Sequence, residues 1–464
     1  MNYDYINLLE EELLRIKHLN SLNCYGETRL QNHSLSGIAL TNTTLSEHLK
    51  SDISGASTRV FYKGAWGMFH LYNAAENDIQ LIVQRALENA EFLSGMMGKP
   101  SATLAFKGHK THENIYKGQR DITETHLLEI ANHYNDYISK HCPGLDDCKL
   151  SISTRWDEKQ LAVTTGATLY TLMPETNLNV RMALSGTALE NSFIAKKDIS
   201  FLTNSHEEIC KEIYMLYTHL RRKTDAVFVN DDYAHCVLGA RMAAKLIHEA
   251  IGHQAEADFA HSPHSCFASL KKSTPLSSKI NIVDYAHTAF GENCPLPIYI
   301  DDEGVTAQDA HIIKAGKICD FMTNRETASL LKLPLTGNAI SSDFQHEPLI
   351  RMRNTALLPS EDTLDEMLAS IKNGYYIIDG CDGGGDINGE FAFHVSIGYR
   401  IKNGKICESL KDAVIWGNCK DFLKSISMIG NDFEWHIDDC TKRQKIYLAQ
   451  GAPTIKALLN IGVL

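Results

Sequence analysis

The chain lacks any apolar run approaching the about 18 consecutive residues of a membrane-spanning helix, so no membrane association is expected. Its start, Met1-Asn2-Tyr3-Asp4-Tyr5, lacks the basic region and following apolar stretch of a secretory leader. No C-x-x-C pair occurs among the 12 scattered cysteines, which therefore read mostly as reduced, buried or idle thiols. Together these absences point to a cytoplasmic protein. Basic excess is missing too. The net charge is −12, and short clusters such as Arg221-Arg222-Lys223 read as a helix end meeting solvent, which disfavours nucleic acid as a partner. The triplet Gly383-Gly384-Gly385 has no following G-K-[ST], so it is not a phosphate loop. No repeat or low-complexity tract is present.

What remains is ordinary globular composition, 44% hydrophobic and 22% charged, with room for two to four domains. Periodicity predicts helices over 6–19, 77–94, 121–139 (capped by Asp121 or Thr123) and 203–222. Residues 58–72 read as a hairpin. Strand-like runs fall at 149–155, 160–165, 168–173 and 178–184. After residue 224 the pattern is largely β, at 280–284, 296–300, 312–315 with 317–321, 375–379, 390–401 and 409–415. Tight turns are expected at Lys314-Ala315-Gly316-Lys317 and Lys402-Asn403-Gly404-Lys405, and short helices at 364–372 and 420–427. The expected class is α+β. Two N-terminal α/β-type domains, 1–104 and 105–223, precede a largely antiparallel β domain, 224–464, that carries the principal motif.

That motif is His248-Glu249-Ala250-Ile251-Gly252-His253, an H-E-x-x-x-H. Two imidazoles can bind a transition metal, and the adjacent carboxylate can move a proton. Capping residues at Asn230-Asp231-Asp232 and apolar residues at Val237, Leu238, Met242, Leu246 and Ile247 predict one buried helix running into it. The spacing resists a regular helix, because i and i+5 lie roughly 140° apart. An i→i+5 widening would bring both rings to one side, with Gly252 a place for the backbone to yield. An irregular or terminated helix is therefore predicted at 249–254. The competing account is two core histidines hydrogen-bonded to backbone. A catalytic zinc takes three protein ligands, and local spacing leaves the third open among Glu256, Asp258, His261, His264 and Cys266.

Further stretches extend the pattern. His248 to Asp258 resembles the signature of the TldD/PmbA family of zinc metallopeptidases, in its metal-bearing TldD-like branch. Ile300-Asp301-Asp302-Glu303-Gly304, Arg351-Met352-Arg353-Asn354-Thr355, Gly383-Gly384-Gly385 with Phe393–Tyr399, and Ile426–Asp432 resemble successive blocks of the same family. The N-terminal half is similar in layout, with Gly55 to Phe61 as its clearest stretch. The resemblance implies a zinc metallopeptidase for unfolded or extended peptides, with Cys440 as third ligand beside His248 and His253, and Glu249 as general base. It also implies a homodimer, or a heterodimer with a homologous subunit. The chain departs from the family after Cys440, where Thr441-Lys442-Arg443 stands in place of the usual glycine. The alternative is a non-enzymatic regulatory or partner subunit of such a complex, as in motif-less paralogues or the old label of DNA gyrase modulator. A third is a metal-dependent amidohydrolase acting on a small molecule. Asp301-Asp302-Glu303 reads as a charged strand end, Arg351 and Arg353 as solvated charges, and the glycine triplet as a flexible turn or a bare edge for a peptide strand.

Overall fold

A computed structural model describes residues 4–19, 24–96, 104, 111–116, 118, 120, 122–260, 265–267 and 276–463. Residues 25–195 form one seven-stranded sheet. Its order is Ala65–Tyr72, Thr44–Tyr62, Tyr25–Thr41, Asp147–Val163, Thr168–Leu184, Thr111–Ile115, and Thr187–Ala195 covers the rest of the outer edge of Thr168–Leu184. Because Tyr25–Thr41 pairs with both Thr44–Tyr62 and Asp147–Val163, the sheet runs through residues 1–104 and 105–223 alike. The division expected at residue 104 is thus not a division between sheets. The four strand-like runs between 149 and 184 merge into two strands of 17 residues each. Trp156-Asp157-Glu158-Lys159 continues the alternation between them instead of turning.

Strand side chains alternate between faces, and here the two faces do different work. Leu30, Ile38, Leu40, Ala56, Val60, Leu150, Ile152 and Ala162 pack under the helices Asp4–Leu19, Ile79–Met96, Glu124–His141 and His206–Lys223. The N-cap of Glu124–His141 is Thr123, whose side chain accepts from the His126 N–H; Asp121 lies outside the described residues. The opposite face carries Tyr25, Glu27, Arg29, Arg59 and Lys159 and meets the C-terminal half. There Arg59 Nη2 lies 2.7 Å from Glu303 Oε1, and Lys159 Nζ lies 2.6 Å from Asp302 Oδ1. Asp301 accepts from the backbone N–H groups of Glu303, Val305 and Ala339. Asp301-Asp302-Glu303 is therefore no solvated strand end. All three are buried: the facing sheet supplies cations to Asp302 and Glu303, and backbone N–H groups satisfy Asp301.

The C-terminal half holds two larger sheets. One orders Lys317–Ile318, Ala310–Lys314, Ile282–Tyr285, Asn354–Leu357, Gln444–Ala452, Glu434–Lys442. In the other, Asn373–Gly385, Asp232–Leu238, Ile455–Val463, Ala413–Asn418 and Glu390–Lys402 pair in sequence, and Asn373–Gly385 pairs again with Glu390–Lys402, closing a ring of five strands. Both expected tight turns form, between Lys314 and Lys317 and between Lys402 and Lys405. Residues 296–299 form no strand, and only Ile300 makes an isolated bridge, with Thr306.

Three expectations need correction here. Residues 232–238 are a strand, not the first turns of the motif helix. Only its end, Cys236–Leu238, is apolar and continuously buried, a run too short for periodicity to tell strand from helix, and Gly239 separates it from the helix Ala240–Leu246. Arg351 and Arg353 are fully buried, not solvated. Arg353 Nε pairs with Asp284 Oδ2 at 2.9 Å and its other nitrogens donate to four carbonyls. Cys266 and Cys419 form a disulfide across 153 residues, beside ten free cysteines. Gly389 lets them meet, since a Cβ there would lie 2.8 Å from the Cys266 Cβ and 2.9 Å from the Cys419 Cβ. Among the described residues no helix is long and apolar enough to cross a membrane.

Candidate metal centre

After Ala240–Leu246 the backbone widens into a π-helix over Ile247–Gly252, then tightens to a 3-10 turn over His253–Ala255. This is the irregularity that the i, i+5 spacing calls for. The widened turn brings the His248 and His253 ring centroids to 4.9 Å. Gly252 serves by smallness: a Cβ there would collide with Met352, which packs against the turn.

The edge hairpin Glu434–Lys442/Gln444–Ala452 delivers Cys440 to the same place. One donor atom from each of His248, Glu249, His253 and Cys440 lies within 4.8 Å of all the others. Cys440 Sγ is 3.4 Å from His253 Nε2, and Glu249 oxygens stand 3.6 Å from Nε2 of both His248 and His253. His248 is fully buried, and among the described residues neither of its ring nitrogens has a hydrogen-bond partner. That removes the account of a core histidine satisfied by backbone.

The two imidazoles differ electrically. Burial holds His248 well below its ordinary pKa, with His253 and Arg351 adding to the effect. Burial opposes charge on His253 as well, but Glu256 and Cys440 outweigh it and push it up to about 10. Burial raises Glu249 above the usual carboxylate range, against His253 and the Gly385 backbone N–H, which hold it down. Burial alone would raise Glu256; His253 and Lys442 reverse that and lower it.

The open third-ligand candidates separate cleanly. Glu256 sits behind His253, its Oε2 3.3 Å from Nδ1. Asp258 pairs with Lys442 at the surface. Cys266 is committed to its disulfide. His261 and His264 lie outside the described residues. Sequence reasoning missed three supporting groups. Lys442 Nζ donates to Glu256 Oε2 and Asp258 Oδ2, each at 2.7 Å. Arg351 donates to the backbone carbonyls of Cys440 and Gln444 at 2.8 and 2.9 Å, fixing the hairpin from inside. The Gly385 N–H anchors Glu249. A signal existed only for the first pair: Glu256 follows His253 by three, and Lys442 follows Cys440 by two.

Two cavities meet at Glu249. One, of about 540 Å³, is lined by His253, Phe259, Gly383–Gly385 and Cys440–Lys442. The other, of about 660 Å³, runs past Arg241, Lys245, Asp379–Gly383 and Asp438. The glycine triplet is the end of the strand Asn373–Gly385 rather than a flexible turn. At Gly385 a Cβ would lie 2.7 Å from the Glu249 carbonyl oxygen, so the strand can pass the motif this closely only without a side chain. A third cavity, of about 770 Å³, includes none of the four clustered residues, and His436 lines it.

Fold and cluster together describe an α+β protein whose C-terminal half gathers two imidazoles, a thiol and a carboxylate. Residues 231–460 match the model of the PmbA/TldA metallopeptidase C-terminal domain. The chain is 35% identical over 221 residues to a zinc metalloprotease TldD homolog of Saccharolobus solfataricus, a match covering 47% of this chain and 49% of that relative, about half the relative's length. It is 25% identical over 465 residues to a metalloprotease of Methanocaldococcus jannaschii, covering 97% of this chain and 99% of that one. The crystal structure of TldE from Thermococcus kodakarensis shares the fold, with a TM-score of 0.73 at 13% identity over 98% of this chain and 100% of that one. The chain belongs to the TldD/PmbA family, a metallopeptidase family.

Proposed function

We propose that the chain is a zinc-dependent metallopeptidase acting on unfolded or extended peptides. One observation carries the reading. His248 is sealed from solvent with both ring nitrogens unpartnered among the described residues, and another imidazole, a thiol and a carboxylate each bring a donor atom within 4.8 Å of it. Burying polar atoms without partners is costly, and two nitrogens with a sulfur form a donor set suited to zinc. His248, His253 and Cys440 would hold the ion. When bound, zinc supplies Lewis acidity and lowers the pKa of a water to about 7.

The chain's own groups do the rest. Glu249, lifted above the usual carboxylate range by burial, accepts a proton from the attacking water and returns it to the leaving amine. The Gly385 N–H holds that carboxylate facing the cluster. Pairing of the strand Asn373–Gly385 with Asp232–Leu238 stops at Ile377; beyond it Lys245 holds the Gly380 carbonyl and the Gly385 N–H faces Glu249, which leaves Cys381–Gly384, lining the two cavities, as the stretch where an extended peptide would lie. Such recognition reads backbone and favours unfolded segments over folded ones. The chain acts as a homodimer or with a homologous subunit, a reading that rests on the family resemblance; its placement in the cytoplasm rests on the sequence reading alone.

The test is metal content with hydrolysis of an unstructured peptide. The expected result is one zinc per chain, with cleavage abolished by a chelator. A zinc-free, inactive chain would leave the partner-subunit reading in its place. Peptides of graded length against small amides separate the peptidase from a small-molecule amidohydrolase.

A further inference from the structure

We propose that Glu256 and Lys442 are positioning residues that orient His253 toward the metal and lock the distant thiol to it. The inference rests on the metallopeptidase reading and adds groups outside its ligand set. An imidazole ligand needs its second nitrogen fixed, because that contact sets both tautomer and ring direction. His253 presents Nε2 to Cys440 Sγ at 3.4 Å and Nδ1 to Glu256 Oε2 at 3.3 Å. The Nδ1 contact is an ion-pair approach rather than a formed hydrogen bond, and among the described residues no carboxylate stands behind the His248 ring in the same way, so orientation of the pair falls to His253.

Glu256 is fully buried. A carboxylate in that position needs a cation, and Lys442 provides it at 2.7 Å. The same Nζ reaches Asp258 at 2.7 Å and the Ile350 carbonyl at 3.2 Å, and lies 4.3 Å from the Phe259 ring centre. Lys442 stands two residues after Cys440, on the hairpin that brings the thiol in. Glu256 stands three after His253, where the motif helix ends. The contact between them thus joins the two segments that supply the ligands, 187 residues apart. A purely structural ion pair would tie the same segments without regard to the ring. The difference is readable in metal affinity.

The experiment uses the full-length chain stripped of metal, with zinc affinity measured by competition against a chromophoric chelator and cobalt(II) absorption as a report on geometry. Glu256→Gln and Lys442→Met are each expected to weaken zinc about 10–100-fold, the usual size of a ligand-orienting partner, and to alter the cobalt bands. Glu256→Gln/Lys442→Met should be no weaker than Glu256→Gln alone, because the lysine acts through the carboxylate. This double variant leaves no unpaired charge at the Glu256 position, so it keeps the test valid if a single variant misfolds. Lys442→Arg should restore most of the loss. Tight zinc in the unmodified chain with unchanged affinity in the double variant would overturn this inference alone. Additive losses would overturn the coupling. Absence of zinc from the unmodified chain would overturn the metallopeptidase reading itself.

Discussion

Two buried polar clusters organise this molecule, and they are built on opposite principles. Where the N-terminal sheet meets the C-terminal half, Arg59 bridges Glu27 and Glu303, and Lys159 meets Asp302. Charges are opposite and hydrogen bonds are made. At the candidate metal centre the donors face one another instead: two imidazoles, a thiol and a carboxylate converge, and among the described residues His248 has no hydrogen-bond partner. A satisfied cluster explains itself as structure. A convergent, unsatisfied one calls for something between its members.

The sharpest way to break the contrast is to remove one member from each side. Glu249→Gln should retain zinc and lower peptide turnover by about 10²–10⁴-fold, the range for loss of a general base; steady-state kinetics beside metal analysis decides. A zinc-loaded variant of full activity would refute the assignment. Arg59→Met should do the reverse. It removes the cation that Glu27 and Glu303 share, which costs about 3–5 kcal/mol, measured by denaturant unfolding, while zinc affinity stays as it was. A loss of zinc in Arg59→Met would mean that the two clusters are not independent.

The pH response sharpens the comparison further. His253 in the metal-free protein is pushed up to about 10 from an ordinary 6.5 by Glu256 and Cys440, against burial. Zinc must displace that proton, so affinity rises with pH, about tenfold per unit for one proton, and levels off only near 10. The stability of the metal-free chain has the opposite sign. A raised folded-state pKa contributes fully below about 6.5 and is lost as pH climbs through about 10. His248, held low by burial, gives up no proton at neutral pH. Zinc competition from pH 6.5 to 9 tests this, and a flat profile would contradict the charge state assigned to His253.

How much of this was legible in the residues follows the same divide. The π-helix was readable because i, i+5 cannot converge on an α-helix, and the structure widens the turn from Ile247 to Gly252. The helices and the two tight turns followed from periodicity and turn chemistry. Cys440 was not readable from spacing; only family resemblance pointed to it, since nothing local links a thiol to an imidazole 187 positions away. Arg351 and Arg353 were misread because a guanidinium looks solvated until the carbonyls and Asp284 that enclose it are folded around it. The strand Asp232–Leu238 was misread because its short buried end, Cys236–Leu238, fits strand and helix equally well. Local geometry is written locally. Long-range satisfaction of charge is not.

The smallest effect concerns the hairpin turn beside Cys440. Arg443 alone separates the paired Lys442 and Gln444, and it adopts φ 61. A left-handed conformation costs an L-residue about 1–2 kcal/mol. Glycine removes that strain but loses about 0.4–1 kcal/mol through its freer unfolded chain. The arginine's contact with Glu347, 3.4 Å away with the side chain 78% exposed, contributes little. Arg443→Gly should therefore stabilise the protein by about 0.5–1 kcal/mol, read as a small rise in melting temperature. Zinc affinity should not change, because Arg351 grips the Cys440 and Gln444 carbonyls on either side of the turn and holds the thiol's register. If relaxing the turn weakened zinc tenfold, the strain would belong to the metal centre, and the line between the satisfied and the unsatisfied cluster would have to be redrawn to include it.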